Sequence, residues 1–223
     1  MDKKLFAGAL IKFFSGLVAF AVLLFLPAGT FNYPQAWMLT AILFIPMFIA
    51  GFVMMAKNPE LLRKRLNAKE NEPEQKQVIL FSGIMFLAAF VSAALSFRFD
   101  LLMMPFSVSI AGAVIFLAAY ILYAEVLREN TYLSRTIEVQ ENQKVIDTGL
   151  YGVVRHPMYM ATVVLFLAMP LVLGSVISFA IMLLYIPIIV KRIRNEEEVL
   201  EKGLAGYTEY KNKVRYRLIP FIW

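Results

Sequence analysis

The stretch LFAGALIKFFSGLVAFAVLLFL at residues 5–26 decides the fold class of this chain. A helix that crosses the roughly 30 Å hydrocarbon core of a bilayer needs about 20 consecutive apolar residues. This stretch reaches that length with one charge, Lys12, whose long side chain can carry its ammonium to the headgroups. The run is longer than the apolar region of a signal peptide and lacks a small-residue cleavage site, so we predict a retained membrane-spanning helix.

Further apolar stretches follow along the chain. Three are long enough to span a bilayer: Trp37–Ala56, Val78–Phe97 and Met103–Ala124. The run Tyr159–Val190 is too long for one span and is interrupted by a Pro-x-x-x-Gly-Ser segment at 170–175, so we expect two short spans there. The sequence therefore predicts an all-α integral membrane protein with about six transmembrane helices, of which the last two form a helical hairpin.

The composition of the whole chain agrees with this prediction. The 223 residues are 60% hydrophobic and 17% charged, with a mean hydropathy of +0.69. Soluble domains have roughly 45–50% apolar and about 25% charged residues. The absence of cysteine excludes disulfides, a zinc site built on thiolates and a cysteine nucleophile. We expect no metal site.

The basic residues predict an orientation. The net charge is +6, which in a soluble protein would suggest a nucleic-acid partner. In the six-span arrangement, 20 of the 22 Lys and Arg residues fall on the side that holds both termini, leaving Lys12 in a span and Arg98 on the far side. Because cytoplasmic loops of membrane proteins carry the excess of Lys and Arg, we expect both termini in the cytoplasm and no nucleic-acid partner.

Two loop segments are amphipathic or weakly alternating. The segment KNPELLRKR from Lys57 could form a short interfacial helix with Leu61, Leu62 and Leu66 facing lipid, or simply a solvated loop that sets orientation. The segment Thr136–Ile146 alternates weakly and precedes a turn, so we expect extended chain across the membrane surface.

The first polar cluster is GLYGVVRHPMY at 149–159. Pro157 disfavours the α conformation for His156 and suits the first turn of a helix. A helix N-terminus beside Arg155 and His156 attracts a carboxylate or phosphate, and Tyr151 and Tyr159 could hold an aromatic ring or a cation. The alternative is ordinary membrane-boundary chemistry, in which Arg sets orientation and Tyr belongs to the aromatic belt.

The second cluster is KRIRNEEE at 191–198. Arg192 precedes Glu196 in the order that supports a helix less well, and three adjacent carboxylates repel one another. A solvated charged face is one interpretation; the other is a site for a cation. Taken together, the two clusters suit a ligand with a carboxylate, an ammonium and a purine, such as S-adenosylmethionine, although the residues alone do not distinguish it from a nucleotide.

These clusters carry a family resemblance. RHPMY at 155–159, preceded by GLY at 149–151, resembles the Arg-His-Pro-x-Tyr signature of the isoprenylcysteine carboxyl methyltransferase family and the related phospholipid methyltransferases. EExxL at 196–200, with GYxxY at 206–210 and the closing IPF, resembles the second motif of that family. The likeness extends from about Asn130 to Trp223 and implies a cytoplasm-facing pocket for S-adenosylmethionine.

The resemblance also implies roles for individual residues. Four side chains would contact the cofactor: Tyr151, Arg155, His156 and Tyr159. Val145 would meet the adenine through its backbone, while Glu197, with Glu196 beside it, would hold the methionyl ammonium or shape the reacting end. Arg192 would orient an acceptor carboxylate, so that Arg192 and Glu197 are the candidate catalytic residues. One departure is Ala161, where the family often has glycine.

The resemblance divides a single membrane domain, 1–223, into four N-terminal spans at 1–127 and a methyltransferase-like half at 128–223. It implies membrane lipids as surroundings and a lipophilic acceptor, either the carboxylate of an isoprenylcysteine-like molecule or a lipid amine. Two alternatives remain open: an NADPH-dependent membrane sterol or enone reductase, and a non-catalytic lipid-binding membrane protein. The reductase is disfavoured because a 2′-phosphate would need cations where the chain has carboxylates at 196–198.

Overall fold

The computed structural model of the protein describes residues 3–66, 73–130, 132–133 and 139–223. Within these ranges the chain is helical, and strand-like pairing is limited to one isolated bridge between Met103 and Ser175. The helices are α1 (Lys3–Ala28), α2 (Pro34–Lys57), α3 (Pro59–Leu66), α4 (Pro73–Phe99), α5 (Phe106–Glu129), a 3-10 turn (Gly149–Gly152), α6 (Pro157–Leu173), α7 (Val176–Met182), α8 (Tyr185–Gly203) and α9 (Tyr207–Lys213).

Membrane-length helices dominate the described chain. Five helical stretches are long and apolar enough to cross a bilayer: 4–28, 34–57, 76–99, 106–129 and 176–203, the last of which comprises α7 and α8. A sixth apolar helix, α6, has 17 residues. These lengths confirm the prediction of an all-α, multi-pass membrane protein. The six-span count and the orientation stay predictions.

Gly174 and Ser175 separate the end of α6 from the start of α7. This glycine has φ 72°, the left-handed conformation that commonly ends a helix. The next residue, Ser175, accepts a hydrogen bond from the amide of Ser178 and so caps α7. The Ser175 hydroxyl also donates to Ser96 Oγ at 3.0 Å, which ties the turn to α4. The interruption expected at 170–175 is therefore present, and it is anchored in the core.

The central packing contact is between α5 and α6. A Cβ at Gly112 in α5 would lie 2.8 Å from both Leu171 Cβ and the Val172 amide nitrogen, so the two helices approach each other at backbone distance. Tyr33 closes one end of this core: its ring stacks on Phe97 at 3.9 Å between centroids, and its hydroxyl donates to the Leu173 carbonyl oxygen. This packing fixes α6, whose first residues belong to the site described below.

The short helix α3 forms, but its apolar face does not point to lipid. Leu61 and Leu62 are buried inside the protein, so they face neither lipid, as the interfacial-helix interpretation expected, nor solvent, as the solvated-loop interpretation expected. The Asn58 side chain accepts from the Leu61 amide and caps the helix. Lys12 Nζ donates to the Leu66 carbonyl oxygen at 2.7 Å, which fastens the end of α3 to α1. Composition cannot distinguish a leucine that faces lipid from one that faces another helix.

Parts of two predicted segments lie outside the described residues. Residues 67–72 of the basic loop are among them, as are residues 136–138 of the segment expected to be extended. The described remainder of that segment, 139–146, has no regular secondary structure.

Candidate cofactor site

The Arg155-His156-Pro157 segment is held against the C-terminal segment of the chain by its backbone. The Arg155 amide donates to the Tyr216 carbonyl at 2.9 Å, and the His156 amide donates to the Arg217 carbonyl at 2.9 Å. Pro157 then begins α6 with the fixed φ that suits a first helical position. Extended backbone followed directly by a helix therefore places both side chains at the N-terminus of α6.

Glu197 of α8 lies at the centre of a buried ionic cluster. Its Oε1 accepts from Arg155 Nε at 2.8 Å and lies 3.2 Å from His156 Nε2, while its Oε2 accepts from Arg217 Nε at 2.8 Å. Only 3% of Glu197 is exposed. Arg155 also donates through Nη1 to the carbonyl oxygens of residues 214 and 215. These bonds compensate the cost of burying the charges and join α6, α8 and the C-terminal segment.

A polar cavity of about 100 Å³ opens beside this cluster. Seven of the eight residues predicted for the site line it: Val145, Tyr151, Arg155, His156, Tyr159, Arg192 and Glu196. The eighth, Glu197, is absent from the lining, because its two carboxylate oxygens are bound by Arg155, His156 and Arg217. The carboxylate that faces the cavity is that of Glu196.

Tyr159 connects the charged groups of the cavity wall. Its hydroxyl donates to Glu196 Oε2, and it accepts from Arg192 Nε at 3.0 Å. The Arg192 guanidinium also lies 5.9 Å from the centroid of the Tyr159 ring, within the range of a cation–π contact. The centroid of the His156 ring lies 5.7 Å from that of the Tyr159 ring. The wall therefore offers one carboxylate and one guanidinium held at fixed positions by a single tyrosine.

Three further tyrosines line the cavity, Tyr132, Tyr207 and Tyr210, and received no role in the sequence analysis. Tyr210 donates from its hydroxyl to the Tyr151 carbonyl at 2.8 Å. The buried Tyr207 hydroxyl has no hydrogen-bond partner among the described residues. Burial raises the pKa of Tyr151, Tyr207 and Tyr210, so all three hydroxyls keep their protons near neutral pH. The sequence signal for Tyr207 and Tyr210 is the GYxxY motif at 206–210, which does not by itself assign a role to either residue.

Residues 110–202 match the model of the Isoprenylcysteine carboxyl methyltransferase (ICMT) family. This match confirms the family resemblance, and RHPMY at 155–159 and EExxL at 196–200 lie inside it, whereas GYxxY at 206–210 and the closing IPF lie beyond its end. The matched range comprises most of α5, all of α6 and α7, and nearly all of α8, and so includes Arg155, His156 and Glu197. It supports a membrane methyltransferase.

A second comparison finds a reductase. The chain is 30% identical to Delta(14)-sterol reductase of Mus musculus over 91 residues. These residues make up 40% of this chain and 22% of the mouse protein. The matching segment thus spans about a fifth of the length of this curated relative.

The cavity combines three kinds of binding group. Glu196 supplies a negative charge, Arg192 supplies a positive charge, and the tyrosines supply aromatic faces and hydroxyl donors. The N-terminus of α6, a helix of 17 residues, adds a partial positive charge. This arrangement can bind a zwitterionic ligand that also carries an aromatic ring.

Proposed function

We propose that the protein transfers a methyl group from S-adenosylmethionine to a lipophilic acceptor at the membrane. The observation that carries this proposal is the cavity in which Glu196 and Arg192, two residues of the segment that matches the ICMT family, face one space between tyrosines. We propose that this cavity faces the cytoplasm, since the predicted topology puts 20 of the 22 Lys and Arg residues on the same side as both termini.

The residues of the cavity fit the charges of this cofactor. Glu196 would bind the methionyl ammonium, and the N-terminus of α6 would attract the methionyl carboxylate. Tyr151 and the backbone of Val145 would bind the adenine. The Tyr207 hydroxyl, a buried donor without a partner in the described chain, would donate to an acceptor atom of the cofactor. Such a bond would remove the cost of leaving that hydroxyl unsatisfied.

Glu197 and Arg155 would act indirectly. Because Glu197 is bonded to Arg155, His156 and Arg217 and lies outside the cavity lining, we propose that it positions the start of α6. The role of holding the ammonium, which the sequence shared between two adjacent carboxylates, would then belong to Glu196.

The reaction would depend mainly on positioning. S-adenosylmethionine supplies an electrophilic methyl group on a sulfonium. Arg192, fixed by its bond to Tyr159, would orient an acceptor carboxylate in line with that methyl group. A carboxylate is already ionised near pH 7 and needs no general base, whereas an amine acceptor would have to lose a proton. Charge is neutralised in the transfer, so a cavity walled by tyrosines and closed to water would favour it.

The cavity would have to widen to admit the cofactor. Its volume of about 100 Å³ is below the 300–1000 Å³ that is typical of small-molecule sites. Residues 143–146 and the segment from Leu204 to Tyr210 both contribute to the lining, and Val145 packs against Leu204, Tyr207 and Tyr210. We propose that these two segments separate when the cofactor enters.

An NADPH-dependent reductase is the second candidate, and the similarity to the mouse sterol reductase favours it. Cations also line the cavity, at Lys144, Arg155 and Arg192. Two of these are already engaged, Arg155 by Glu197 and Arg192 by Tyr159, which leaves less positive charge for a 2′-phosphate. A non-catalytic lipid-binding protein is the third candidate.

Calorimetry on the detergent-purified protein separates the three candidates. The methyltransferase should bind S-adenosylmethionine saturably and NADPH not at all. Saturable binding of NADPH alone would contradict the proposal and favour the reductase. Binding of neither would favour the lipid-binding protein.

A further inference from the structure

Residues 218–223 form a turn that is closed by backbone hydrogen bonds. The amides of Leu218 and Ile219 both donate to the Trp223 carbonyl oxygen, at 2.9 and 3.1 Å. The amides of Ile222 and Trp223 donate in the other direction, to the Ile219 carbonyl oxygen. These bonds hold the two ends of the turn together, so its tip and its base form one unit.

The base of this turn packs against the apolar helices. Leu218 is buried in a cluster to which α4, α6, α7 and α8 contribute, and Trp223 packs against the same cluster. The residues just before the turn accept hydrogen bonds from the amides just before α6. The turn therefore lies at the depth where α6 begins, which is where an apolar helix leaves the hydrocarbon core and meets the headgroups.

The tip of the turn presents apolar side chains away from the protein. Phe221 is 87% exposed and Ile222 is 77% exposed. Phe221 also has φ 66°, a left-handed conformation that a bulky side chain adopts at a cost, and its ring lies 5.3 Å from the Tyr216 ring between centroids. Exposed apolar side chains at headgroup depth, held in a costly backbone conformation, indicate a surface that lipid covers.

The segment before the turn is basic. Lys211 and Lys213 are paired with carboxylates, and Arg217 is paired with Glu197. Arg215 is exposed and belongs to no ion pair of the described residues. An apolar tip that follows an exposed cation matches a bilayer surface of anionic phospholipid.

Arg217 joins the turn to the buried ionic cluster. Its Nε donates to Glu197 Oε2 at 2.8 Å, and its guanidinium lies 5.4 Å from the centroid of the Trp223 ring. Glu197 in turn binds Arg155 and His156 directly before α6. A displacement of the turn would therefore move Arg217 and take away one of the groups that fix this end of the polar cavity.

We propose that the turn at 218–223 docks on the headgroup region of an anionic bilayer, and that this docking stabilises the polar cavity through Arg217 and Glu197. Burial of the tip in lipid would offset the cost of the Phe221 backbone and hold Arg217 in place. The docking itself does not depend on methyl transfer. Its effect on cofactor affinity rests on the proposed function.

A depth measurement tests the docking. The chain has no cysteine, so one introduced thiol can carry a single nitroxide label. Ile222→Cys puts the label at the tip, and Asn212→Cys puts it at an exposed position of α9. In phosphatidylglycerol nanodiscs, the ratio of relaxation by oxygen to relaxation by a water-soluble nickel chelate should be higher at 222 than at 212. A ratio at 222 that is equal to or below the ratio at 212 would overturn the docking.

Variants at the tip test the coupling to the cavity. Phe221→Asn removes the ring but suits the left-handed backbone, which asparagine adopts readily. In phosphatidylglycerol nanodiscs we expect its dissociation constant for S-adenosylmethionine to rise severalfold and its melting temperature to fall. The matched control is Phe31→Asn, which is also exposed but lies in the loop between α1 and α2 and should change neither. Unchanged affinity in Phe221→Asn, or equal loss in both variants, would overturn the coupling.

The charge of the lipid is tested with S-adenosylhomocysteine, whose zero net charge avoids a general attraction to an anionic surface. The wild type should bind it roughly fivefold more tightly in phosphatidylglycerol than in phosphatidylcholine nanodiscs, the value of one cation near an anionic surface. Arg215→Gln should remove this difference and Arg215→Lys should keep it. Equal affinity of the wild type in both lipids would overturn the preference for anionic lipid.

These measurements keep the two proposals apart. If the wild type binds neither S-adenosylmethionine nor S-adenosylhomocysteine, the proposed function fails. The label ratio at 222 still decides the docking in that case, and the melting of Phe221→Asn against Phe31→Asn still decides its link to the Glu197 cluster. Cofactor binding with a label at 222 as accessible to the nickel chelate as the label at 212 contradicts the docking alone.

Discussion

At the scale of single residues, the different surroundings of Glu196 and Glu197 result from their positions on α8. Adjacent residues on a helix point about 100° apart, so one of the two faces the cavity while the other is buried against Arg155, His156 and Arg217. The pair could be identified from the sequence, because EExxL at 196–200 resembles a motif of the family. The sequence could not divide their roles, since that depends on how α8 is rotated against α6.

The burial of Glu197 makes a stability prediction. Glu197→Gln would leave Arg155 and Arg217 without their buried counter-charge, at a cost of about 3–5 kcal/mol. We expect a clear drop in the melting temperature of the detergent-purified protein. The matched control is Glu198→Gln, one residue further along α8 and exposed, which should melt as the wild type does. Equal melting of Glu197→Gln and wild type would show that the cluster is not structural.

Glu196→Gln should weaken cofactor binding and leave the melting temperature nearly unchanged, the reverse of what we expect for Glu197→Gln. Its side chain faces the cavity, so we expect weaker S-adenosylmethionine binding by about tenfold or more, the value of a charge-assisted bond, with little change in melting. Calorimetry and thermal melting of one preparation measure both quantities. Normal cofactor affinity in this variant would remove Glu196 from the site.

Tyr207→Phe tests the hydroxyl that has no partner in the described chain. The substitution keeps the ring and removes a group that makes no hydrogen bond in this structure, so stability should be unchanged. We expect the dissociation constant for S-adenosylmethionine to rise roughly two- to tenfold, the value of one hydrogen bond. Tyr210→Phe is the comparison: it loses the bond to Tyr151 and should lower stability as well. An unchanged dissociation constant in Tyr207→Phe would exclude the hydroxyl from cofactor binding.

At the scale of elements, the apolar helices could be predicted because a bilayer imposes both length and composition. The break at 174–175 could also be predicted, since glycine readily adopts the left-handed conformation that ends a helix, whereas Pro170 lies within α6 and does not interrupt it. The burial of Leu61 and Leu62 could not, because it depends on contacts between α3 and distant helices. The close approach of α5 and α6 at Gly112 could not be predicted either, since a glycine in an apolar run does not show which helix packs against it.

That close approach predicts a specific sensitivity. Gly112→Ala would place a methyl group 2.8 Å from Leu171 Cβ, which would force α5 and α6 apart and cost about 1–3 kcal/mol. The control is Gly83→Ala in α4, where the added methyl group meets no atom within 4 Å and helix propensity favours alanine. Thermal melting should separate the two variants, and equal melting would contradict the packing described for α5 and α6.

The proposed opening of the polar cavity predicts a change in hydrogen–deuterium exchange in two segments. If residues 143–146 and 204–210 separate to admit the cofactor and then close over it, hydrogen–deuterium exchange in both should slow when S-adenosylmethionine binds. Helix α4, which contributes no residue to that cavity, should be unaffected. Protection in α4 with none at 143–146 and 204–210 would place the binding site elsewhere.

At the scale of the whole molecule, polar and apolar cavities lie in different parts of the structure. The C-terminal half gathers charges and tyrosines around a small polar cavity, and the N-terminal helices enclose an apolar cavity one turn away. The most direct test of the proposed methyltransferase activity is transfer of labelled methyl from S-adenosylmethionine into a membrane lipid extract by the purified protein. We predict label in the lipid phase that depends on the protein and falls sharply in Glu196→Gln; label that stays at the protein-free background would contradict the account.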